Sequence, residues 1–192
     1  MISRLIAYWF VLPMMLLSLQ IVAAAENYDI DPTHTYPNFT VSHLGFSTMH
    51  GRFDKTSGTF AFDRENRQGT VDITIQTASI STGHEKRDDH LRSPDFFNTV
   101  EFPVAAYKSR SVKFEGDEPK SIDGNLTLLG ITKPVTLTII AFKCGQNPMN
   151  NKAMCGIDAV GSLKRSDFGM KYALPGVGDD IQLMISVEGY KK

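Results

Sequence analysis

The chain is short of almost everything that marks a catalyst or a nucleic-acid binder. Its 192 residues hold two cysteines, one tryptophan and a near-even balance of charge, 20 Lys and Arg against 21 Asp and Glu. Interspersed charges leave no basic stripe to displace counterions, which argues against nucleic acid as a partner. No G-x-S-x-G elbow, H-E-x-x-H helix, C-x-x-C pair or haem-attaching C-x-x-C-H segment occurs, and each of those spacings is what its chemistry needs. Gly176-Val177-Gly178 lacks the third glycine and the strand-to-helix context of a dinucleotide loop. Asp179 and Asp180 are adjacent carboxylates in turn-like sequence, where solvation is their ordinary use. Internal repeats and low-complexity tracts are also missing. No cofactor is expected.

Long hydrophobic runs are absent with one exception. Arg4 precedes a nearly unbroken apolar stretch from Leu5 to Val22, and Ala23-Ala24-Ala25 follows. A positive start, an apolar middle and small residues at the exit form a secretory signal peptide. Residues 1–25 are therefore expected to be removed, leaving a mature domain of residues 26–192 in the periplasm. Nothing in that domain invites stable membrane insertion. The lone Trp9 goes with the signal.

In an oxidising compartment Cys144 and Cys155 are expected to form one disulfide. They flank a turn-rich loop, and closing it contributes roughly 2–3 kcal/mol in the chain-entropy model.

What the mature chain does have is alternation. Val71–Gln76 trades apolar for polar without a break, and Ile181–Glu188 nearly repeats it. Phe60 and Phe62 flank Ala61; Asn125–Leu128 leads through Gly130 into Val135–Ile139. A period of two means a half-buried strand. Gly45, Gly58, Gly69, Gly116 and the Pro175–Gly178 segment supply turns between the strands. Many short strands in one domain point to an all-β barrel or sandwich. Pro134 falls just inside a strand and is expected to mark where the hairpin after Gly130 resumes pairing.

One stretch breaks the pattern. Thr82–Phe97, T-G-H-E-K-R-D-D-H-L-R-S-P-D-F-F, is charged and helix-like. Thr82 and Glu85 have capping-box spacing, so a helix is expected from Gly83, with Asp88 and Arg92 paired on one face. Ser93 and Pro94 suit the start of a second short turn carrying Phe96 and Phe97. The same stretch offers the one enzymatic alternative, a metal-dependent hydrolase or isomerase built on His84, Asp88 and His90. The geometry is poor, because His90 points about a third of a turn away from His84. A solvated, salt-bridged helix, Asp89 included, accounts for these residues more simply. His34, His43 and His50 are scattered, and nothing in their spacing gathers them.

An eight-stranded barrel can be filled by its own side chains or can hold one small ligand. Alternation alone does not choose between them. Five segments carry a resemblance that does: H-E-K-R-D-D-H-L-R-S-P-D-F-F; D-P-T-H-T leading into F-T-V-S-H-L-G; G-N-L-T-L-L-G-I-T-K-P-V; G-S-L-K-R-S-D-F-G-M; and I-S-V-E-G. Together, and in the same order as they stand along the chain, they resemble the YceI-like family across essentially the whole mature chain.

The resemblance implies a lipocalin-like antiparallel β-barrel with a short helical segment near residues 83–98. Its long apolar lumen is implied to hold a polyisoprenoid or similar long-chain lipid, in a non-catalytic periplasmic carrier or store. A true lipocalin is not implied, since the mature chain has no Trp for a G-x-W signature. The Cys144–Cys155 loop is no hallmark of the family. On such a barrel the residues expected to face the ligand are Phe39, Val41, Phe60, Phe62, Ile73, Ile75, Leu126, Leu137, Ile139, Leu183 and Ile185, with Phe96 and Phe97 at the entrance. Arg87 and Arg92 are available to a polar headgroup, as guanidinium suits phosphate; salt bridges on the helix are their alternative use. The sequence leaves room for a homodimer.

Overall fold

The structure is a computed structural model that describes residues 25–192. The expected signal peptide, with Trp9, lies outside the described residues except for Ala25.

The strands are β1 Glu26–Ile30, β2 Tyr36–His43, β3 Ser47–Phe53, β4 Thr56–Asp63, β5 Gln68–Gln76, β6 Ile80–Ser81, β7 Val104–Glu115, β8 Glu118–Leu128, β9 Ile131–Gln146, β10 Ala153–Lys164 and β11 Val177–Lys191. One helix, α1, spans Glu85–Arg92, and short 3-10 turns occupy Thr77–Ser79 and Arg165–Phe168. Hydrogen bonding runs in the order β1-β4-β5-β7-β8-β9-β10-β11, and β11 returns to β1 through Tyr28 opposite Lys191 and Ile30 opposite Gly189. Eight antiparallel strands thus close on themselves, which abolishes sheet edges around most of the ring. The all-β, lipocalin-like barrel read from the sequence is the fold observed.

The remaining strands form a flap on β11. Residues Ile181–Ser186 of β11 pair with β2, β2 pairs with β3, and β3 with β6. β1 and β2 are two halves of one run with a corner between them. Asp31 holds that corner: its Oδ1 accepts from the Thr33 amide at 2.9 Å and the Thr33 hydroxyl at 2.6 Å. A short carboxylate bonding to the backbone two residues on is how Asp mimics a turn.

The β8–β9 connection is tighter than Pro134 suggested. Leu128 already faces Ile131, so the turn is Leu129 and Gly130 alone, with φ of 51° and 72°. Two consecutive left-handed residues make the hairpin turn that matches strand twist. Pro134 sits inside the paired strand opposite Asn125. β10 begins pairing with β9 only at Thr138, so Pro134 lies where one side of β9 has no ladder to feed.

α1 also begins later than expected, and its cap is different. His84 is the N-cap, its Nδ1 accepting from the Arg87 amide, while Gly83 takes a φ of +77°. Thr82 turns inward instead: its amide and its hydroxyl both donate to Asp88 Oδ1. That use of Asp88 removes the expected Asp88–Arg92 pair, and Arg92 bonds Asp89 at 2.8 Å. Ser93 opens a hydrogen-bonded turn rather than a second helix, its carbonyl accepting from Phe96 and Asn98.

Candidate functional site

Alternation puts one set of side chains inside the barrel, and there they do not meet. Between the walls lies a cavity with about 1480 Å³ of empty space, its open part included. Its lining is almost wholly apolar. Every strand of the closed ring except β1 contributes to the wall, as do β2 and, through Phe53, β3.

The two ends are built differently. Away from α1, Phe62 packs edge-on against Phe114 and Phe142, with ring centroids 6.3 and 5.4 Å away. None of these three rings lines the cavity, and they act as its floor. Such edge-to-face contacts strengthen packing beyond simple burial. At the α1 end, Leu91, Phe96 and Phe97 lean over the cavity, and Phe97 meets Phe53 edge-on at 5.4 Å. Phe96 is wedged between His90 and Tyr172, at 5.1 and 5.3 Å. Ser93, Pro94 and Asp95 bend the chain back so that two adjacent aromatics point into the fold; both are buried.

Eleven of the thirteen residues expected to face the ligand line this cavity: Phe39, Val41, Phe60, Ile73, Ile75, Phe96, Phe97, Leu126, Leu137, Leu183 and Ile185. The other two, Phe62 and Ile139, are buried in the core but lie outside the lining. They belong to the inward set of β4 and β9, yet further toward the floor, where the walls fill. Sequence reasoning missed Phe53, Tyr107, Thr56 and Arg165, which also line it. The alternation Ala105–Tyr107 was the available signal for Tyr107. For Arg165 there was none, because a charged residue reads as outward.

Polar groups on the wall are few, and nearly all are spent on the protein itself. The Tyr107 hydroxyl lies 3.0 Å from the carbonyl oxygens of both Ile122 and Val135, sharing its proton between them. Burial pushes its phenol above the ordinary range. Thr35 Oγ1 donates to the Glu188 carbonyl and accepts from its amide, both at 3.3 Å, and Asn38 Nδ2 donates to Tyr36. Arg165 is 3% exposed and gives its guanidinium to four carbonyl oxygens, of Met170, Tyr172, Val177 and Gly178, at 2.8 to 3.1 Å. Burial pulls its pKa down and Asp179 pulls it back up, the first effect prevailing. Its role is to fold the loop between β10 and β11 over the barrel end.

Residues considered for a metal do not converge. His84 caps α1, Asp88 is held by Thr82, and His90 Nε2 pairs with Asp95 at 2.8 Å. Among the described residues the only three such side chains with ligand atoms within 4.8 Å of one another are Asp31, His34 and Glu188. Asp31 is already committed there to the β1–β2 corner and to His34 Nδ1 at 2.8 Å. Arg87 and Arg92 turn inward as well. Arg87 bonds the hydroxyl and carbonyl of Thr82, and Arg92 the carbonyls of Ala78 and Ile80. They brace the segment leading into α1, and both are drawn away from a headgroup role.

The remaining cysteine expectation is met: Cys144 and Cys155 form a disulfide between facing positions of β9 and β10. It lies outside the cavity wall. No helix of the described residues is long and apolar enough to cross a membrane.

Comparison with known proteins bears on this barrel directly. The family model of the YceI-like domain matches residues 28–189. The chain is 43% identical over 173 residues to Protein YceI of Escherichia coli O157:H7, an alignment spanning 88% of this chain and 90% of that protein. Among solved structures, the YCEI protein of Campylobacter jejuni is similar with a TM-score of 0.67 and 29% identity, over 79% of this chain and 90% of that one. A polyisoprenoid binding domain from Saccharophagus degradans is similar with a TM-score of 0.61 over 86% of this chain and 98% of that one. Its 17% identity makes that a likeness of fold alone.

Proposed function

Since this chain belongs to the YceI-like domain family, we propose that it is a non-catalytic binding protein that holds a polyisoprenoid or similar long-chain lipid in its lumen. The observation that carries this reading is the wall itself: an apolar cavity under a cover of aromatic side chains, with its few polar groups largely tied to the backbone. A branched hydrocarbon tail suits such a channel. Removing several hundred Å² of it from water gains on the order of 25 cal/mol per Å², less the cost of ordering the tail. The solved domain described as polyisoprenoid binding has the same architecture and supports this choice of ligand class.

The lining residues named above are the ligand contacts in this reading, and Phe96 and Phe97 cover the entrance. The signal-like start, residues 1–25, supports export to the periplasm, where the protein transports or stores its lipid after the segment is cleaved. The reading is the same for a single barrel and for a homodimer.

Native mass spectrometry of protein purified from a bacterial periplasm tests it. A co-purified lipid, or uptake of added long-chain isoprenoid, is the expected result. Repeated preparations free of lipid that also refuse added isoprenoid count against the reading.

A further inference from the structure

One fully buried polar atom on the cavity wall has no partner. Thr56 Oγ1 is buried, on a residue 5% exposed, and is the only such side-chain nitrogen or oxygen among the described residues with no hydrogen-bond partner. Thr56 opens β4 opposite Ile75, and its side chain is part of the wall. Its neighbours fix it there. The Lys55 amide donates to Ser79 Oγ, the Lys55 carbonyl accepts from Gln76, and Thr77 ties to the carbonyls of Phe102 and Pro103.

Leaving a buried hydroxyl without a partner is unfavourable, and a valine of the same shape avoids that cost. Such a group in a native core asks for a partner. A buried water holds its place through two to four polar contacts. The other polar side chains on this wall, Thr35, Asn38, Tyr107 and Arg165, already bond the backbone. Thr35, Tyr107 and Arg165 are therefore not free to complete a water's shell at Thr56.

We propose that Thr56 is the hydrogen-bonding contact for a neutral oxygen, hydroxyl or carbonyl, carried by the lipid in the lumen. The inference rests on the lipid-binding reading and adds an orientation to it. Thr56 lies at the end of β4 nearer α1, while Phe60 and Val71 line the cavity toward the floor. The lipid's oxygen sits under the aromatic cover, and its hydrocarbon runs down toward Phe60. The oxygen is neutral because the hydroxyl brings no charge, and the one cation on the wall among the described residues, Arg165, is engaged by four carbonyls.

The test uses two probes, a twenty-carbon prenyl alcohol and the same chain ending in a methyl group, competed against a fluorescent lipid. The ratio of their affinities is compared between the unaltered protein, Thr56→Val and Thr56→Ser. The expected result is that Thr56→Val lowers the alcohol-to-hydrocarbon ratio about three- to tenfold, through the alcohol alone, while Thr56→Ser keeps it. An unchanged ratio in Thr56→Val overturns this proposal and leaves the lipid reading standing. Failure of the unaltered protein to bind either probe overturns both. A structure of the unaltered protein with the alcohol serves if Thr56→Val does not fold. The lipid oxygen within hydrogen-bond distance of Thr56 Oγ1 supports the proposal; an oxygen placed elsewhere, or a water in its stead, overturns it.

Discussion

Phe39 and Gly51 face each other across β2 and β3, and the tip of the ring occupies the space where a side chain on the glycine would stand. A β-carbon at Gly51 would come within 2.9 Å of Phe39 Cε1. Glycine is needed here for space, and the ring it accommodates is part of the cavity wall. Gly51→Ala therefore pushes the ring toward the lumen. The expected cost is about 1–3 kcal/mol, the range for overpacking, measured by urea unfolding. Uptake of long isoprenoids falls at the same time, because the displaced ring narrows the channel.

Arg165 holds the β10–β11 loop through hydrogen bonds to four carbonyl oxygens. Arg165→Met keeps the stem and orphans those acceptors. A loss of at least about 3 kcal/mol is expected, again by urea unfolding. Arg165→Lys does not rescue it, since a single ammonium lacks the planar fork. Stability within about 1 kcal/mol of the parent in either variant contradicts this role.

The disulfide and the cavity are separable. Cys144→Ser with Cys155→Ser, or reduction of the parent, frees a loop of sequence separation 11. The expected loss is roughly 2–3 kcal/mol, seen as a lower denaturation midpoint with reductant than without. Lipid affinity is expected to stay the same, as neither cysteine touches the cavity.

His34 and Asp31 titrate as partners. The hydrogen bond to Asp31 raises the His34 pKa above its ordinary 6.5. Burial pushes Asp31 up, but the bonds from His34 and Thr33 outweigh it and leave Asp31 below its ordinary 3.8. The signs follow from linkage. His34, with a raised folded pKa, contributes stability that is complete below 6.5 and is lost as pH rises through the folded value. Asp31, with a lowered one, contributes above 3.8 and loses its contribution as pH falls through its folded value. The corner between β1 and β2 is thus held best between those limits. An NMR titration is expected to place the His34 midpoint above 6.5, and Asp31→Asn to return it toward that value; a midpoint at or below 6.5 in the parent contradicts the pairing.

Much of the fold was legible because a period of two is a local property. Ile73 and Ile75, or Leu183 and Ile185, show their face within a single strand, and any barrel puts that face inside. The α1 segment was legible for the same reason, since its charge pattern cannot serve a half-buried strand. Its details were not. Thr82 has the spacing of a cap, yet a longer-range choice sends it to Asp88, and Arg92 then finds Asp89. Several acceptors competed for each donor, and sequence spacing does not rank them.

By itself, the order of apolar and polar residues determined that this chain makes an antiparallel β structure with one helical interruption, and which side chains turn inward. Only the tertiary structure decided where the inside is full and where it is empty. Phe62 and Ile139 point inward like Phe60 and Leu137, but the aromatic floor of Phe62, Phe114 and Phe142 puts them beyond the cavity. Thr56 and Arg165 likewise became meaningful only once their surroundings existed. Direction is set by the backbone of one strand, whereas empty volume and the supply of hydrogen-bond partners depend on all the walls at once.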